Sequence, residues 1–386
     1  MNWFVKYYGA HKISPVSQDI SDLKKHILRR ERLYQLLGID AALFKGAEIL
    51  EVGAGSGYNT LPFLLAGARV DIVEPNKTGR EAMVNLFESY HIHPSQYTIY
   101  DCMIEEFDSA KKYDFTIAEG FLPSLDNRKM QEAVIDSLIK KAKAGGGYIV
   151  VTSMCVFSYF FEDVRRMLGY LLICECASYE ERVKILSQAF VTHLESLKFA
   201  SRPIDDWVKD AILNPALDTE FLDMGECVAE FCKRACVEVV GISPALVSNL
   251  SWYKDMEYSY ATTIREQFRL KQHCLLSIDL LDNAREISSN QRLEKDLKRF
   301  RALIVKLKQG GNALEIMQKV ILVLQEILEK NRDLGKAFSA PLLEVIAFLQ
   351  TGNITAKGVA SLNEFAKAWG RGQQYINFKR IDDEGK

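Results

Sequence analysis

From residue 46 to 153, short runs rich in apolar and β-branched residues alternate with segments whose apolar positions recur every three or four residues. That is the pattern of a parallel sheet with crossover helices. Five strands are read here: AEILEV at 47–52, RVDIVE at 69–74, YTIYD at 97–101, YDFTIAE at 113–119 and GYIVVT at 147–152. Between them, 59–65, 79–90 and 129–144 are amphipathic, and Gly145, Gly146 and Gly147 stop the last of these. Upstream, Leu23, Ile27, Leu33, Leu36 and Leu37 stand at helical spacing and predict a leading helix over 21–37, with Ser17 or Ser21 as its N-cap.

Downstream, 161–234 is mainly helical in pattern, while CVEVVGI at 236–242 has the β-branched density of a sixth strand and ends in Ser243-Pro244. Residues 258–349 are again helical, with long amphipathic runs at 285–308 and 314–330 separated by Gly310, Gly311 and Asn312. The stripe of Ile316, Val320, Val323, Leu324 and Ile327 reads as helix-bundle core. A helix over 356–369 precedes the break Gly370-Arg371-Gly372, and 375–381 alternates as a half-buried strand does, so the chain returns to the sheet at its end. The expected fold is α/β: a doubly wound, mostly parallel seven-stranded sheet with large helical insertions forming a lid. Its parts are a helical segment at 1–45, a core at 46–160, a helical insertion at 161–235, the sixth strand at 236–250, a helical region at 251–370, and the last strand and tail at 371–386.

Composition narrows the function. With 48% hydrophobic residues in 386, the chain can bury a sizeable core, and 49 basic against 51 acidic residues give no overall field to gather nucleic acid or anionic lipid. The most apolar stretch, 148–161, is too short to span a bilayer before Glu162, Asp163, Arg165 and Arg166, and the first dozen residues lack the apolar run of a leader. A soluble, cytoplasmic protein without a membrane span is expected, with self-association left open. Its eight cysteines read as reduced thiols, and neither Cys174/Cys176 nor Cys227/Cys232/Cys236 has the Cys-x-x-Cys spacing of a zinc site. His91 and His93 fall at a helix end, where a histidine offsets the dipole more often than it binds a metal, so no metal is expected.

The chemistry concentrates after the first strand, in Glu51-Val52-Gly53-Ala54-Gly55-Ser56-Gly57. Glycines there let the backbone turn tightly and approach a ligand, and the following helix start offers unpaired N–H groups. A dinucleotide fingerprint wants its third glycine one residue later, where Tyr58 stands. Glu74 ends the second strand, where a carboxylate can accept both hydroxyls of an adenosine ribose. Asp101 and Cys102 close the third strand, suited to the adenine amino group and the ring face respectively. The fourth strand runs into Glu119 and Gly120 at the same sheet edge, the place where open α/β sheets bind ligands.

At these residues the chain resembles the class I S-adenosylmethionine-dependent methyltransferases. The resemblance covers roughly 46–153. It implies that Glu51, Gly53, Gly55, Gly57 and Gly120 line the site of S-adenosylmethionine, with the three loop glycines at its methionine moiety, Glu74 at the ribose and Asp101 with Cys102 at the adenine. It also implies an antiparallel seventh strand, for which 375–381 is the candidate. The phrases at 201–207, 251–255 and 369–375 are similar to those of bacterial methyltransferases from surface-polysaccharide and glycosylation gene sets.

For the acceptor side, Glu119 is the candidate general base, with a contact to the methionine ammonium or an N-cap as its other readings. Arg29 and Arg30, with Arg32 nearby, either hold a substrate phosphate or carboxylate or form a solvated helix face. Trp252 and Tyr253 offer aromatic faces to a sugar ring or base, or pack in the core. The Asn- or Asp-Pro-Pro-aromatic segment of amino-group nucleic-acid methyltransferases is replaced here by Ala118-Glu119-Gly120-Phe121. A basic stripe for a polymer is also missing. The expected reaction is methyl transfer to a small-molecule or glycan acceptor, a sugar hydroxyl first. The alternatives are N-methylation of another small molecule, or a methyltransferase-like scaffold working through its helical C-terminal part.

Overall fold

A computed structural model describes residues 3–381 except 12, 14–17, 198–201, 248–253 and 255–258. The chain divides into two compact units. The first comprises Met1–Met154, Thr219–Phe268 and Gln373–Lys386, and the second Cys155–Asp218 and Arg269–Gly372.

The first unit holds one sheet of β1 (Glu48–Val52), β2 (Arg69–Val73), β3 (Tyr97–Tyr100), β4 (Phe115–Ala118), β5 (Tyr148–Ser153), β6 (Val237–Ser243) and β7 (Gln374–Arg380), in the order β3-β2-β1-β4-β5-β7-β6. The first five strands pair in parallel, with Leu50 opposite Asp71 on one side and Thr116 on the other. β7 runs antiparallel to both β5 and β6, as the resemblance implied. Strands covered on both faces read as continuous apolar runs, and every residue of β4 and all but the first of β1 and β5 are buried. Phe44 anchors one face, its ring 4.9 Å from Phe63 and 5.1 Å from Phe115, with Ile49, Val70, Ile72, Met83 and Phe87 in the same cluster.

Helix Leu23–Leu36 corrects the sequence reading in two ways. Its N-cap is Asp22, whose side chain accepts from the Lys25 N–H, and not Ser17 or Ser21. Its buried stripe is His26, Arg30 and Tyr34, whereas Leu36 is 58% exposed. Polar residues took the inward face because each finds a partner there, which a count of apolar positions does not register. The helix end is pinned to the sheet: Asn377 Nδ2 donates to the Leu37 carbonyl at 2.8 Å, and a Cβ on Gly241 would lie 2.5 Å from Leu37.

The second unit is helical among its described residues, with Phe160–Leu172, Tyr179–Glu195, Ile287–Lys308, Ala313–Lys330 and Lys336–Gln350 its longest elements. The stripe Ile316, Val320, Val323, Leu324 and Ile327 is buried, as expected. The helix read over 356–369 is instead two short ones, Ala356–Ala360 and Asn363–Lys367. Ser361 stands between them, its hydroxyl donating to the Lys357 carbonyl at 2.8 Å. The charges after residue 161 are buried rather than solvated. Asp163 accepts from Arg301 at 2.9 Å and Arg166 at 3.4 Å, and Asp218 takes Arg166 and Lys308. Arg165, fully buried, donates to the Ala368 carbonyl at 2.8 Å and lies 3.7 Å from the Trp369 ring centroid. Burial pulls its pKa down to about 10. Among the described residues, no helix is long and apolar enough to cross a membrane.

Candidate active site

The strand order reverses direction between β1 and β4, so the carboxyl ends of these strands and of β2 open a crevice between diverging connections. Into it runs the loop after β1. Gly53, Gly55 and Gly57 take φ of 70°, 59° and 79°, the left-handed region that glycine enters without steric cost. Space is as restrictive as torsion: a Cβ on Gly53 would meet the Phe121 ring at 2.8 Å, and one on Gly57 would meet Met83 at 2.6 Å. From below, Gly79 in helix Lys77–Ser89 closes on the loop so tightly that a Cβ there would lie 2.9 Å from the Gly55 carbonyl oxygen.

Glu74 fixes this loop. Its Oε2 accepts from the Gly55 N–H at 2.7 Å and its Oε1 from the Asn76 N–H at 2.8 Å, each oxygen keeping a second lone pair. Asn76 in turn caps helix Lys77–Ser89 through the Thr78 N–H and donates to the Ile13 carbonyl. Burial pushes the Glu74 carboxyl up to about 7 against the pull of these N–H donors. Glu51, buried at the end of β1, is likewise raised to about 7, by burial with the Thr60 hydroxyl working the other way and Glu119 adding to the rise. Its Oε2 has no hydrogen-bond partner among the described residues.

Glu119, just past β4, is enclosed by four donors. Arg30 Nη2 and Nη1 reach it at 2.6 and 3.0 Å, the Tyr34 hydroxyl at 2.8 Å and Asn59 Nδ2 at 3.3 Å. For Arg30, burial lowers the pKa, but the adjoining Glu119 and Tyr34 more than offset it and leave the group above its ordinary value. Tyr34 is pushed well up, by burial and then by Glu119. Gly120, at φ 93°, donates its N–H to Thr152 Oγ1 at 2.9 Å, and its carbonyl accepts from Gln373 Nε2 at 3.2 Å.

Asp101 and Cys102 follow β3 at the same sheet edge. Asp101 is largely exposed and pairs with Arg80 at 2.6 Å, while burial raises the Cys102 thiol above its ordinary range. The sequence reading treated the arginine cluster as one surface, but the helix separates its members. Arg29 and Arg32 are exposed, and Arg30 faces inward. Trp252 and Tyr253 lie outside the described residues. His93 accepts from the Ser95 N–H and caps the turn before β3, and no group of three metal-ligating side chains occurs among the described residues. The reading from sequence missed Tyr34, Asn59, Asn76, Gly79 and Arg80. Only Tyr34 carried a signal, four residues after Arg30 on one helix face.

Residues 38–164 match the model of the family described as tellurite resistance protein TehB. No curated protein sequence matches the chain. Among solved structures, N-methyltransferase NodS from Bradyrhizobium japonicum WM9, bound to S-adenosyl-L-homocysteine, is 20% identical with a TM-score of 0.31, over 39% of this chain and 74% of its own. PKMT2 from Rickettsia typhi, in complex with AdoHcy, is 16% identical with a TM-score of 0.42, over 63% of this chain and 49% of its own. TehB from Haemophilus influenzae is 19% identical with a TM-score of 0.27, over 30% of this chain and 38% of its own. The chain thus spans about half or less of the latter two. Strand order and the glycine loop after β1 give the sheet-bearing unit the fold of the class I S-adenosylmethionine-dependent methyltransferases, and the TehB-type match over 38–164 falls largely within it.

Proposed function

We propose that the chain transfers a methyl group from S-adenosylmethionine to a small-molecule or glycan acceptor, with a sugar hydroxyl as the first candidate. The observation that carries the cofactor half of this reading is the Glu74 carboxylate tied to the Gly55 N–H. One acid thereby shapes the glycine loop and keeps lone pairs for a ribose. The donor set fits such a ligand. Glu51 and Glu74 put two acidic side chains beside the loop, suited to a cationic cofactor and unsuited to the phosphates of a dinucleotide, while the charge of Glu119 is met by Arg30. When bound, the cofactor supplies an electrophilic sulfonium methyl group.

The chain's own contribution is positioning and exclusion of water. Gly53, Gly55 and Gly57 would receive the methionine moiety, with Glu51 and Gly120 flanking it. Glu74 would hold the ribose, and Asp101 with Cys102 the adenine. The four donors around Glu119 favour an anchoring role over a general base, since a base must keep a lone pair for the substrate proton. A hydroxyl acceptor would then lose its proton to another group or to solvent. The phrases at 201–207, 251–255 and 369–375 support a glycan acceptor. The test is a tritiated-methyl assay on cell-surface glycan, total RNA, DNA and a small-metabolite fraction. Label in glycan or metabolites is expected, and label in nucleic acid alone would overturn the acceptor assignment.

A further inference from the structure

Arg80 joins two strand ends from the first turn of helix Lys77–Ser89. Its Nη1 donates to the Glu74 carbonyl oxygen at 2.8 Å, and its Nη2 donates to Asp101 Oδ2 at 2.6 Å. The two ends of this bridge differ in surroundings: the Arg80 side chain is 17% exposed and that of Asp101 67%. An exposed ion pair alone holds a carboxylate weakly. Here, however, the planar fork is set at its base by a backbone carbonyl that cannot swing away, so Asp101 is presented to the crevice edge in one orientation. One of its oxygens is consumed by Arg80, and Oδ1 carries no hydrogen bond among the described residues.

We infer that Arg80 is a positioning residue that makes the site selective for a 6-aminopurine, an inference that rests on the cofactor reading above. An aimed carboxylate oxygen accepts from an exocyclic amino group, and it meets a 6-oxo group as one acceptor facing another. Discrimination arises as much from that repulsion as from the bond formed. Without Arg80 the Asp101 side chain, standing in solvent after β3, turns freely and presents neither oxygen, so the preference disappears while other cofactor contacts remain.

The test is isothermal titration of the full chain with S-adenosylhomocysteine and with its inosine counterpart, S-inosylhomocysteine. The wild type favours the adenosyl ligand by roughly tenfold or more, the worth of one charge-assisted hydrogen bond. In Arg80→Gln the adenosyl ligand still binds and the ratio of the two affinities collapses toward unity. Asp101→Asn, a change on an exposed side chain, gives the same collapse and carries the test if the first variant does not fold. A ratio unchanged in Asp101→Asn, or Arg80→Gln weakening both ligands equally, reduces Arg80 to a structural staple and overturns the inference. Equal binding of both ligands by the wild type overturns it while leaving the cofactor reading intact. Binding of neither overturns the cofactor reading itself.

Discussion

Replacing Arg30 with methionine removes a guanidinium but keeps a flexible apolar stem in the helix Leu23–Leu36. Glu119 loses donors at 2.6 and 3.0 Å and keeps the Tyr34 hydroxyl at 2.8 Å and Asn59 Nδ2 at 3.3 Å. The pair is enclosed, with side-chain exposures of 10% for Arg30 and 6% for Glu119, so solvent screens little of the interaction. Removing one partner of a buried ion pair costs about 3–5 kcal/mol, and the two surviving neutral donors place this case near 3 kcal/mol. Urea unfolding followed by circular dichroism measures it directly. A double-mutant cycle then separates the pair from its surroundings: Arg30→Met and Glu119→Gln each leave an uncompensated group, whereas the double variant leaves none. The double variant should lose much less than the two singles added together. Should Arg30→Met cost under about 1 kcal/mol and the cycle prove additive, the pair behaves like a surface ion pair and its anchoring role is refuted.

Three other perturbations probe Glu51, the glycine loop and the helical unit separately. Because burial raises Glu51 from 4.5 to about 7, the wild type should lose about 3 kcal/mol relative to Glu51→Gln as pH rises through that window, with no difference below it; parallel stability profiles would contradict this. Gly79→Ala puts a Cβ 2.9 Å from the Gly55 carbonyl oxygen, so overpacking of about 1–3 kcal/mol should lower the melting temperature and weaken S-adenosylhomocysteine binding together, and unchanged binding would show that the loop tolerates the shift. In the helical unit, Asp163→Ala strips Arg301 and Arg166 of a shared buried carboxylate and should cost about 3–5 kcal/mol in urea unfolding; a cost near zero would mean the network is solvated in solution.

The sheet was legible because each of its strands carries its own local signal. Buried parallel strands read as apolar runs, glycines mark the turn after β1, and alternation at the tail gives β7 its period of two. Gly79 and Arg80 were not legible, because Gly79 looks like an ordinary helix residue until the Gly55 carbonyl lies against it, and Arg80 like a surface charge until the Glu74 carbonyl and Asp101 come within reach. The helix Leu23–Leu36 misled for a related reason. Its inward stripe of His26, Arg30 and Tyr34 is polar, and these residues are buried because His26 meets the Tyr58 carbonyl at 2.8 Å and the other two meet Glu119. Hydrophobic periodicity therefore placed the helix but not its rotation. The buried arginines of the helical unit escaped in the same way, since a charged run usually faces water.

The proposed function requires that the crevice at the ends of β1, β2 and β4 bind S-adenosylmethionine through Glu74 and the glycine loop. Isothermal titration of wild type and Glu74→Ala with S-adenosylmethionine and with NADH tests it most directly. Micromolar binding of the methyl donor is expected, with weaker binding in Glu74→Ala by roughly 1.5–3 kcal/mol for the loss of a charge-assisted bond, and no binding of NADH. Binding of NADH with none of S-adenosylmethionine, or full affinity in Glu74→Ala, would contradict it.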